Sequence, residues 1–250
     1  GILVLFPVLL AGLMRGVRMG YLVAALVCAI QILAGRLLGL PVDGVLDLQL
    51  VLAMSAATAL LAGAAHDDKH FQWQHANFDL LTGLANRHRF QDQLEHETLR
   101  AARTQQLMAL MYIDLDGFKA VNDTMGHAAG DELLLGVSQR LVATLRESDI
   151  VCRVSGDEFL VLLPESHNAE EILRVAEKIR AALAEDFIVG DLRLSISSCI
   201  GVAIYPEHGS DPTTLTRSAD QAMYVAKETG RNRVCVFGEE HGKSLCPLEN

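Results

Sequence analysis

The spacing of hydrophobic and polar positions divides the chain into two regions. Residues 2–14, 21–38 and 48–65 are three almost uninterrupted apolar segments. The second and third approach the roughly 20 residues that a helix needs to cross a bilayer, and the first is interpreted as the end of a longer span. The pattern therefore predicts a transmembrane helical region over residues 1–65. Buried helices of a globular domain are the alternative, but the scarcity of charge in this region disfavours them.

Helical and strand patterns alternate in the second region. Helical spacing is found at residues 86–106, 131–146, 169–185 and 213–229. Strand-like runs are found at residues 107–113, 149–163, 192–196, 200–205 and 234–237, and the second of these is long enough for a hairpin. Strands that are apolar on both faces need helices on both faces to cover them. We therefore predict an α/β (α+β) domain in which helices flank a central sheet.

The charge of the second region limits the classes of partner that it can bind. Residues 66–250 contain 18 basic and 29 acidic side chains, a net charge of −11, whereas residues 1–65 contain five charged side chains. An acidic domain is unsuited to nucleic acid, because binding to the phosphate backbone requires a basic surface. The five cysteines form no C-x-x-C pair, which suits a reducing compartment. We therefore expect a cytoplasmic domain without a nucleic-acid partner.

The domain boundaries follow from these changes in composition. Arg15 and Arg18 lie between the first two apolar segments, and the positive-inside tendency assigns that connection to the cytoplasm. The third span then returns the chain to the cytoplasmic side. Residues 66–78 are polar and contain no helix breaker, which predicts a helical connector. A soluble domain over residues 79–240 and a C-terminal tail over residues 241–250 complete the predicted organisation.

Acidic side chains stand at two strand ends in this domain. Asp114 and Asp116 follow the apolar run 107–113, and Asp157 and Glu158 occupy the tip of the predicted hairpin. If the two strands are neighbours, carboxylates from both can meet. Two or three such oxygen ligands suit Mg²⁺, which shares its coordination with substrate phosphates and assists attack on a phosphoryl group. Solvated turn acids are the alternative interpretation.

A series of ordered motifs resembles the GGDEF family, the diguanylate cyclases, over residues 75–240. The matching segments lie at residues 79–87, 114–119, 121–123, 126–127, 130–131, 153–159, 198–203 and 219–233. The resemblance implies a mainly antiparallel five-stranded sheet and a reaction that joins two GTP into cyclic di-GMP and two pyrophosphates. The apolar region resembles the end of a MASE-type sensor through its hydropathy, Phe6-Pro7 and 13–16. Together they imply a multi-pass protein of the bacterial inner membrane with its cyclase domain in the cytoplasm.

The resemblance also assigns a metal site. Asp114, Asp157 and the Leu115 carbonyl would hold Mg²⁺, with Mn²⁺ as a possible substitute. Glu158 would help to bind the metal or orient the site. Asp157 would assist deprotonation of the ribose 3′-hydroxyl. Asp116 is expected to stabilise the turn rather than to bind the ion.

Substrate-binding positions come from the same resemblance. Asn122 and Asp131 are expected to recognise guanine, because an acceptor-only aspartate and a donor–acceptor asparagine complement its base edges. Their alternative roles are a turn asparagine and a helix N-cap. The phosphate side of the site is expected to comprise Phe118, Lys119, Lys227 and Arg231, with Ser155 and Gly156 beside the nucleotide. For Lys227 and Arg231, the alternative is that a cation is favourable near the C-terminus of a helix.

Ser155 departs from the family motif, which has glycine at this position. If the backbone there needs a positive φ, serine costs roughly 1–2 kcal/mol. If the backbone is extended, the side chain either crowds the nucleotide or donates a hydrogen bond to it. Because Gly156 and both acids are present, we expect an active cyclase. The alternative is a catalytically inactive signalling module that binds cyclic di-GMP or GTP.

The pair Arg146 and Asp149 forms an R-x-x-D pattern that resembles the product-inhibition site of the family. Arginine can bind guanine O6 and N7 with two hydrogen bonds, and aspartate can accept from its amino edge. Cyclic di-GMP is therefore expected to act as both product and inhibitor. Because one domain holds one GTP and the product needs two, we also expect a homodimer.

Overall fold

The computed structural model describes residues 73–238 of the 250-residue chain. The predicted transmembrane region, the MASE-type sensor, most of the connector and the C-terminal tail lie outside the described residues. Within residues 73–238, no helix combines the length and the apolar character that a membrane crossing requires.

The described residues contain a helical stretch at residues 73–77, five further helices and seven strands. The five further helices are α1 Arg87–Thr104, α2 Phe118–Met125, α3 His127–Thr144, α4 Ala169–Ala184 and α5 Pro212–Glu228. The strands are β1 Leu107–Asp116, β2 Ile150–Ser155, β3 Glu158–Ser166, β4 Phe187–Val189, β5 Leu192–Leu194, β6 Ser197–Tyr205 and β7 Arg233–Val236. Every helix and strand predicted from periodicity is present, with boundaries that differ by a few residues.

The central sheet has five strands in the order β2-β3-β1-β6-β7, while β4 and β5 form a separate two-stranded hairpin. In the central sheet, the pairings β2–β3, β3–β1 and β1–β6 are antiparallel, and β6 pairs with β7 in parallel. The sheet is thus five-stranded, as expected, but mixed. Since β1 lies in the middle, its end is flanked by both the β2–β3 hairpin and β6.

Helices cover both faces of this sheet. On one face, Met111 and Ile113 of β1 pack in a core with side chains of α3 and α4, including Leu133 and Ile172. On the other face, buried residues of α1 and α5 pack against Leu110 and its neighbours. Side chains alternate between the two faces along a strand. Asp114 and Asp116 therefore lie on the face that α5 covers.

Helix α5 approaches the sheet closely at Gly201 on β6. A Cβ atom on this glycine would lie 2.1 Å from both the Ala219 carbonyl oxygen and the Met223 nitrogen. Because only glycine leaves room for the helix backbone, this contact sets the height of α5 above β6. It thereby positions the C-terminal end of α5, which contains Lys227.

Two local predictions were wrong. The region after β1 contains α2, a helix that was not predicted, and the following helix begins at His127 rather than at residue 131. Their exposed polar residues leave little apolar periodicity to detect. The tip of the hairpin is also tighter than predicted, because Ser155 ends one strand and Glu158, which was expected at the tip, begins the next strand. Gly156 and Asp157 alone connect them.

Candidate active site

The strand register brings the two acidic segments together. Asp114 on β1 is paired with Glu158 on β3, and the Leu115 amide donates a hydrogen bond to the Asp157 carbonyl oxygen at 3.3 Å. The end of the central strand and the tip of the hairpin are therefore neighbours. The sequence hypothesis required this proximity.

A cavity of about 710 Å³ opens beside this junction. All three residues assigned to the metal line it, as do the four expected on the phosphate side. These residues are Asp114, Leu115, Asp157, Phe118, Lys119, Lys227 and Arg231. Ser155, Gly156 and Glu158 are not among its lining residues, although they belong to the same hairpin. The cavity is thus lined by both carboxylates and cationic side chains.

Asp114 is bound by Lys227, and both residues line the cavity. The Lys227 Nζ atom lies 2.7 Å from Asp114 Oδ2. Burial raises the pKa of Asp114 and, with smaller contributions from the charges of Asp157 and Glu158, outweighs the lowering effect of Lys227. Burial alone lowers the pKa of Lys227, but its contact with Asp114 produces a net upward shift.

The oxygen atoms present suit a hard divalent cation. Asp114 and Asp157 offer carboxylates, and the Leu115 carbonyl points to the same side of β1 as its amide, toward Asp157. Within residues 73–238, no group of three or more histidine, cysteine, aspartate or glutamate side chains is arranged to hold an ion alone. The donor set therefore fits Mg²⁺ or Mn²⁺ shared with substrate phosphates rather than a closed protein site.

Asp116 has a different set of partners. Its carboxylate accepts hydrogen bonds from Ser197 Oγ at 2.6 Å, Cys199 Sγ at 3.2 Å and the Asn232 amide at 3.2 Å. Arg231 Nε lies 3.7 Å away. Burial raises the pKa of the Cys199 thiol to about 12, so the thiol keeps its proton and donates it. Through Asn232 and Arg231, Asp116 stabilises the turn that follows α5.

Asn122 and Asp131 are brought together by the contact between α2 and α3. A Cβ atom on Gly130 would lie 2.0 Å from Asn122 Oδ1, so glycine is required for Asn122 to reach the start of α3. The same Cβ atom would lie 3.3 Å from the Phe118 ring. Because Phe118 also lines the cavity, this contact connects Asn122 and the start of α3 to the cavity wall. Asn122 lies inside α2 and Asp131 is the fifth residue of α3. The alternative roles of turn asparagine and helix N-cap are therefore wrong.

The hairpin tip shows how serine is accommodated. Gly156 has a φ of 42°, whereas the non-glycine residues with positive φ in residues 73–238 are Gln105, Arg231 and Asn232. Ser155 therefore carries no left-handed strain. Its hydroxyl donates to Glu158 Oε2 at 2.9 Å, and the Tyr112 hydroxyl donates to the same oxygen at 3.3 Å.

Comparison with known proteins identifies this arrangement. Residues 76–233 match the family described as diguanylate cyclase, GGDEF domain. The chain belongs to the GGDEF family. It is 41% identical over 157 residues to the diguanylate cyclase TpbB of Pseudomonas aeruginosa, which covers 62% of this chain and 36% of TpbB. It is also 42% identical over 166 residues to the cyclic di-GMP phosphodiesterase PdeR of Escherichia coli, which covers 66% of this chain and 24% of PdeR.

Solved structures agree with the family assignment. The GGDEF domain of TpbB is similar with a TM-score of 0.63 and 40% identity, covering 64% of this chain and 93% of that structure. The coiled coil and GGDEF domain of DgcB from Caulobacter crescentus, in complex with cyclic di-GMP, is similar with a TM-score of 0.65 and 27% identity. That match covers 76% of this chain and 99% of the DgcB structure. The chain spans less than half of the curated TpbB and PdeR sequences.

The R-x-x-D pair lies at the other end of β2 in this GGDEF domain. The Arg146 amide donates to Asp149 Oδ2 at 2.9 Å, and Arg146 Nη2 donates to Glu171 Oε1 at 3.0 Å. Burial raises the pKa of Asp149. Both residues line a cavity of about 280 Å³ together with Arg174 and Lys178. This cavity shares no lining residue with the first one.

Sequence reasoning missed two supports of the GGDEF site. Arg153 bridges the hairpin tip to the start of the domain, because Nε donates to the Gly156 carbonyl at 3.0 Å and Nη1 lies 3.1 Å from Asp79 Oδ1. Ser197 and Asn232 hold Asp116. Arg153 and Asp79 both lie in motifs that matched the family, which was the available signal for them. Nothing in the local pattern pointed to Ser197.

Proposed function

We propose that this GGDEF domain is a diguanylate cyclase that condenses two GTP molecules into cyclic di-GMP and two pyrophosphates. The observation that supports this function most strongly is the shared cavity. Asp114 from the central strand and Asp157 from the hairpin tip line it together with Lys227 and Arg231. Carboxylates for a metal and cations for a triphosphate are the two requirements of phosphoryl chemistry.

Asp114, Asp157 and the Leu115 carbonyl would hold the ion, Mg²⁺ or Mn²⁺. When bound, the ion neutralises charge on the triphosphate and makes the ribose 3′-hydroxyl more acidic. Lys119, Lys227 and Arg231 bind the phosphate oxygens. A carboxylate oxygen of Asp157 accepts the proton of the ribose 3′-hydroxyl. The 3′-oxygen then forms a bond to the α-phosphorus of the second GTP, and pyrophosphate leaves.

Guanine selectivity is assigned to the α2–α3 contact. Asp131 accepts hydrogen bonds from the N1–H and N2 amino group of guanine, and the Asn122 amide supplies both a donor and an acceptor. Adenine presents an acceptor at N1 and no amino group at C2. The proposed substrate is therefore GTP rather than ATP.

Catalysis in this scheme requires two domains, because each holds one of the two nucleotides. We propose a homodimer in which two cyclase domains face one another. The apolar N-terminal quarter of the sequence leads us to propose anchorage in the bacterial inner membrane with the domain in the cytoplasm. The R-x-x-D pair is proposed to bind cyclic di-GMP and limit its synthesis.

The test is an assay of the purified full chain with GTP and Mg²⁺, with detection of cyclic di-GMP and pyrophosphate. We expect two pyrophosphates per cyclic dinucleotide, loss of product with EDTA, and recovery with Mg²⁺ or Mn²⁺. Binding of cyclic di-GMP without turnover would instead support the inactive signalling module. Product from ATP would reject the guanine assignment.

A further inference from the structure

Glu158 is held by two neutral hydroxyl groups. Ser155 Oγ and the Tyr112 hydroxyl both donate to Glu158 Oε2, at 2.9 Å and 3.3 Å. Both hydrogen bonds are accepted by the same carboxylate oxygen. Two donors on one atom fix the orientation of the carboxylate group.

The strand register directs Glu158 toward the metal-binding acids. Glu158 on β3 is the direct cross-strand partner of Asp114 on β1, so both side chains project from the same face of the sheet. Tyr112, two residues before Asp114, lies on this face as well. Glu158 is thus beside Asp114, although it does not line the cavity wall.

The electrostatic surroundings explain why this carboxylate needs to be held. Asp114 and Asp220 both interact unfavourably with the charge of Glu158. A free glutamate would turn away from these acids toward solvent. A hydroxyl donor restrains the carboxylate and leaves its charge intact.

We propose that Ser155 and Tyr112 are positioning residues that hold Glu158 beside Asp114 so that its carboxylate contributes to binding the divalent ion. This assignment rests on the cyclase function proposed for the site. It gives serine a role at a position where the family motif has glycine, which has no side chain with which to bind Glu158. The unstrained backbone at Ser155 is consistent with this role.

The experiment measures the Mg²⁺ concentration for half-maximal activity, kcat and the KM for GTP at saturating Mg²⁺ in the full chain. Ser155→Ala and Tyr112→Phe are each expected to raise the Mg²⁺ concentration for half-maximal activity roughly three- to tenfold, the scale of one hydrogen bond, and to leave kcat at saturating Mg²⁺ nearly unchanged. The KM for GTP should change little. Ser155→Thr, which retains the hydroxyl, should restore the wild-type values. Tyr224→Phe is the matched control, because Tyr224 also contacts a glutamate, Glu228, at an exposed position.

The dependence on Glu158 is tested in the Glu158→Gln background. There, Ser155→Ala and Tyr112→Phe should have almost no further effect, because both act through the same carboxylate. Two outcomes would overturn the proposal. One is a raised KM for GTP with unchanged Mg²⁺ requirement in Ser155→Ala, which would mean that the hydroxyl contacts nucleotide. The other is an undiminished effect of Ser155→Ala in the Glu158→Gln protein.

A readout without turnover separates this proposal from the proposed function. If the wild-type chain forms no cyclic di-GMP, the cyclase function has failed. The affinity for Mn²⁺ in the presence of GTP, followed by electron paramagnetic resonance, then tests the positioning by itself. Ser155→Ala should weaken Mn²⁺ binding roughly three- to tenfold. Equal affinity in wild type and Ser155→Ala would reject the role of Ser155.

Discussion

The two ends of strand β2 present aspartates in opposite settings. At the hairpin end, Asp157 shares a cavity with Asp114, whose side chain is 12% exposed and paired with Lys227 from a distant helix. At the other end, Asp149 is bound by the main chain of Arg146, three residues earlier, and the Arg146 side chain is 69% exposed. Six residues of strand separate the two ends by about 20 Å.

This difference shows how one hairpin can serve two binding sites. The buried pair is assembled from segments far apart in the sequence, so its geometry is determined by the packing of α5 and the sheet. The pair of Arg146 and Asp149 is local, and the exposed Arg146 side chain is bound to the carboxylate of Glu171. Because the arginine is exposed to solvent, this ion pair contributes little to stability, so a ligand can replace Glu171 at small cost. In the proposed function, the first site carries out the chemistry and the second binds cyclic di-GMP reversibly.

The largest effect is expected from removing the acid at the hairpin tip. Asp157→Asn should lower kcat at least about 100-fold, because the metal loses a ligand and the 3′-hydroxyl loses its proton acceptor. Cyclic di-GMP binding at Arg146 should persist, as measured by calorimetry. Asp191→Asn, an exposed acid in the turn between β4 and β5, is the control. Activity above one tenth of wild type would contradict the assigned role.

The converse experiment alters only the second site. Arg146→Ala should raise the inhibitory constant for cyclic di-GMP by roughly ten- to a hundredfold, the value of a bidentate contact to guanine. Initial rates at several product concentrations provide the measurement. Arg193→Ala on β5 removes an exposed arginine elsewhere and should not alter inhibition. Unchanged inhibition in Arg146→Ala would reject the R-x-x-D assignment.

A smaller effect tests whether substrate recognition depends on helix packing. Gly130→Ala places a methyl group 2.0 Å from the present position of Asn122 Oδ1 and must displace that side chain. We expect the KM for GTP to rise about tenfold and the preference for GTP over ATP to fall, since a hydrogen bond to the base is lost. Ala128→Ser, at an exposed position of the same helix, is the control. A GTP preference equal to that of the wild type would argue against Asn122 as a guanine contact.

The smallest effect concerns the support of the hairpin tip. Burial acts to raise the pKa of Asp79, but hydrogen bonds from Thr82 and Arg153 outweigh it and lower the pKa below 3.8. This stabilisation is present above the unfolded-state pKa and is lost as pH falls through the lower folded-state pKa. Asp79→Asn should therefore reduce the free energy of unfolding by about 1 kcal/mol at pH 7 and by less near pH 3. Urea titrations at both pH values test this, with the exposed Asp92→Asn as reference. An equal loss at both pH values would show that the charge of Asp79 is not responsible.

Periodicity was sufficient to predict most of the framework. The strand at β1 and the helices α1, α4 and α5 were all predicted, because burial against the sheet imposes a regular apolar pattern on their sequences. Motif resemblance also predicted the family and the convergence of Asp114 with the hairpin tip. Helix α2 was missed because its single buried residue, Phe118, provides no repeating pattern.

The sequence by itself thus determined the order of most helices and strands, the acidic character of the domain and its membership of the GGDEF family. Tertiary structure alone decided which groups each acid contacts. The strand register places Glu158 opposite Asp114, and the packing of α5 brings Lys227 into contact with Asp114. Asp116 instead accepts hydrogen bonds from Ser197 and Asn232. These partners are distant along the chain. Their contacts depend on strand register and helix packing, which arise from the whole fold rather than from any local sequence.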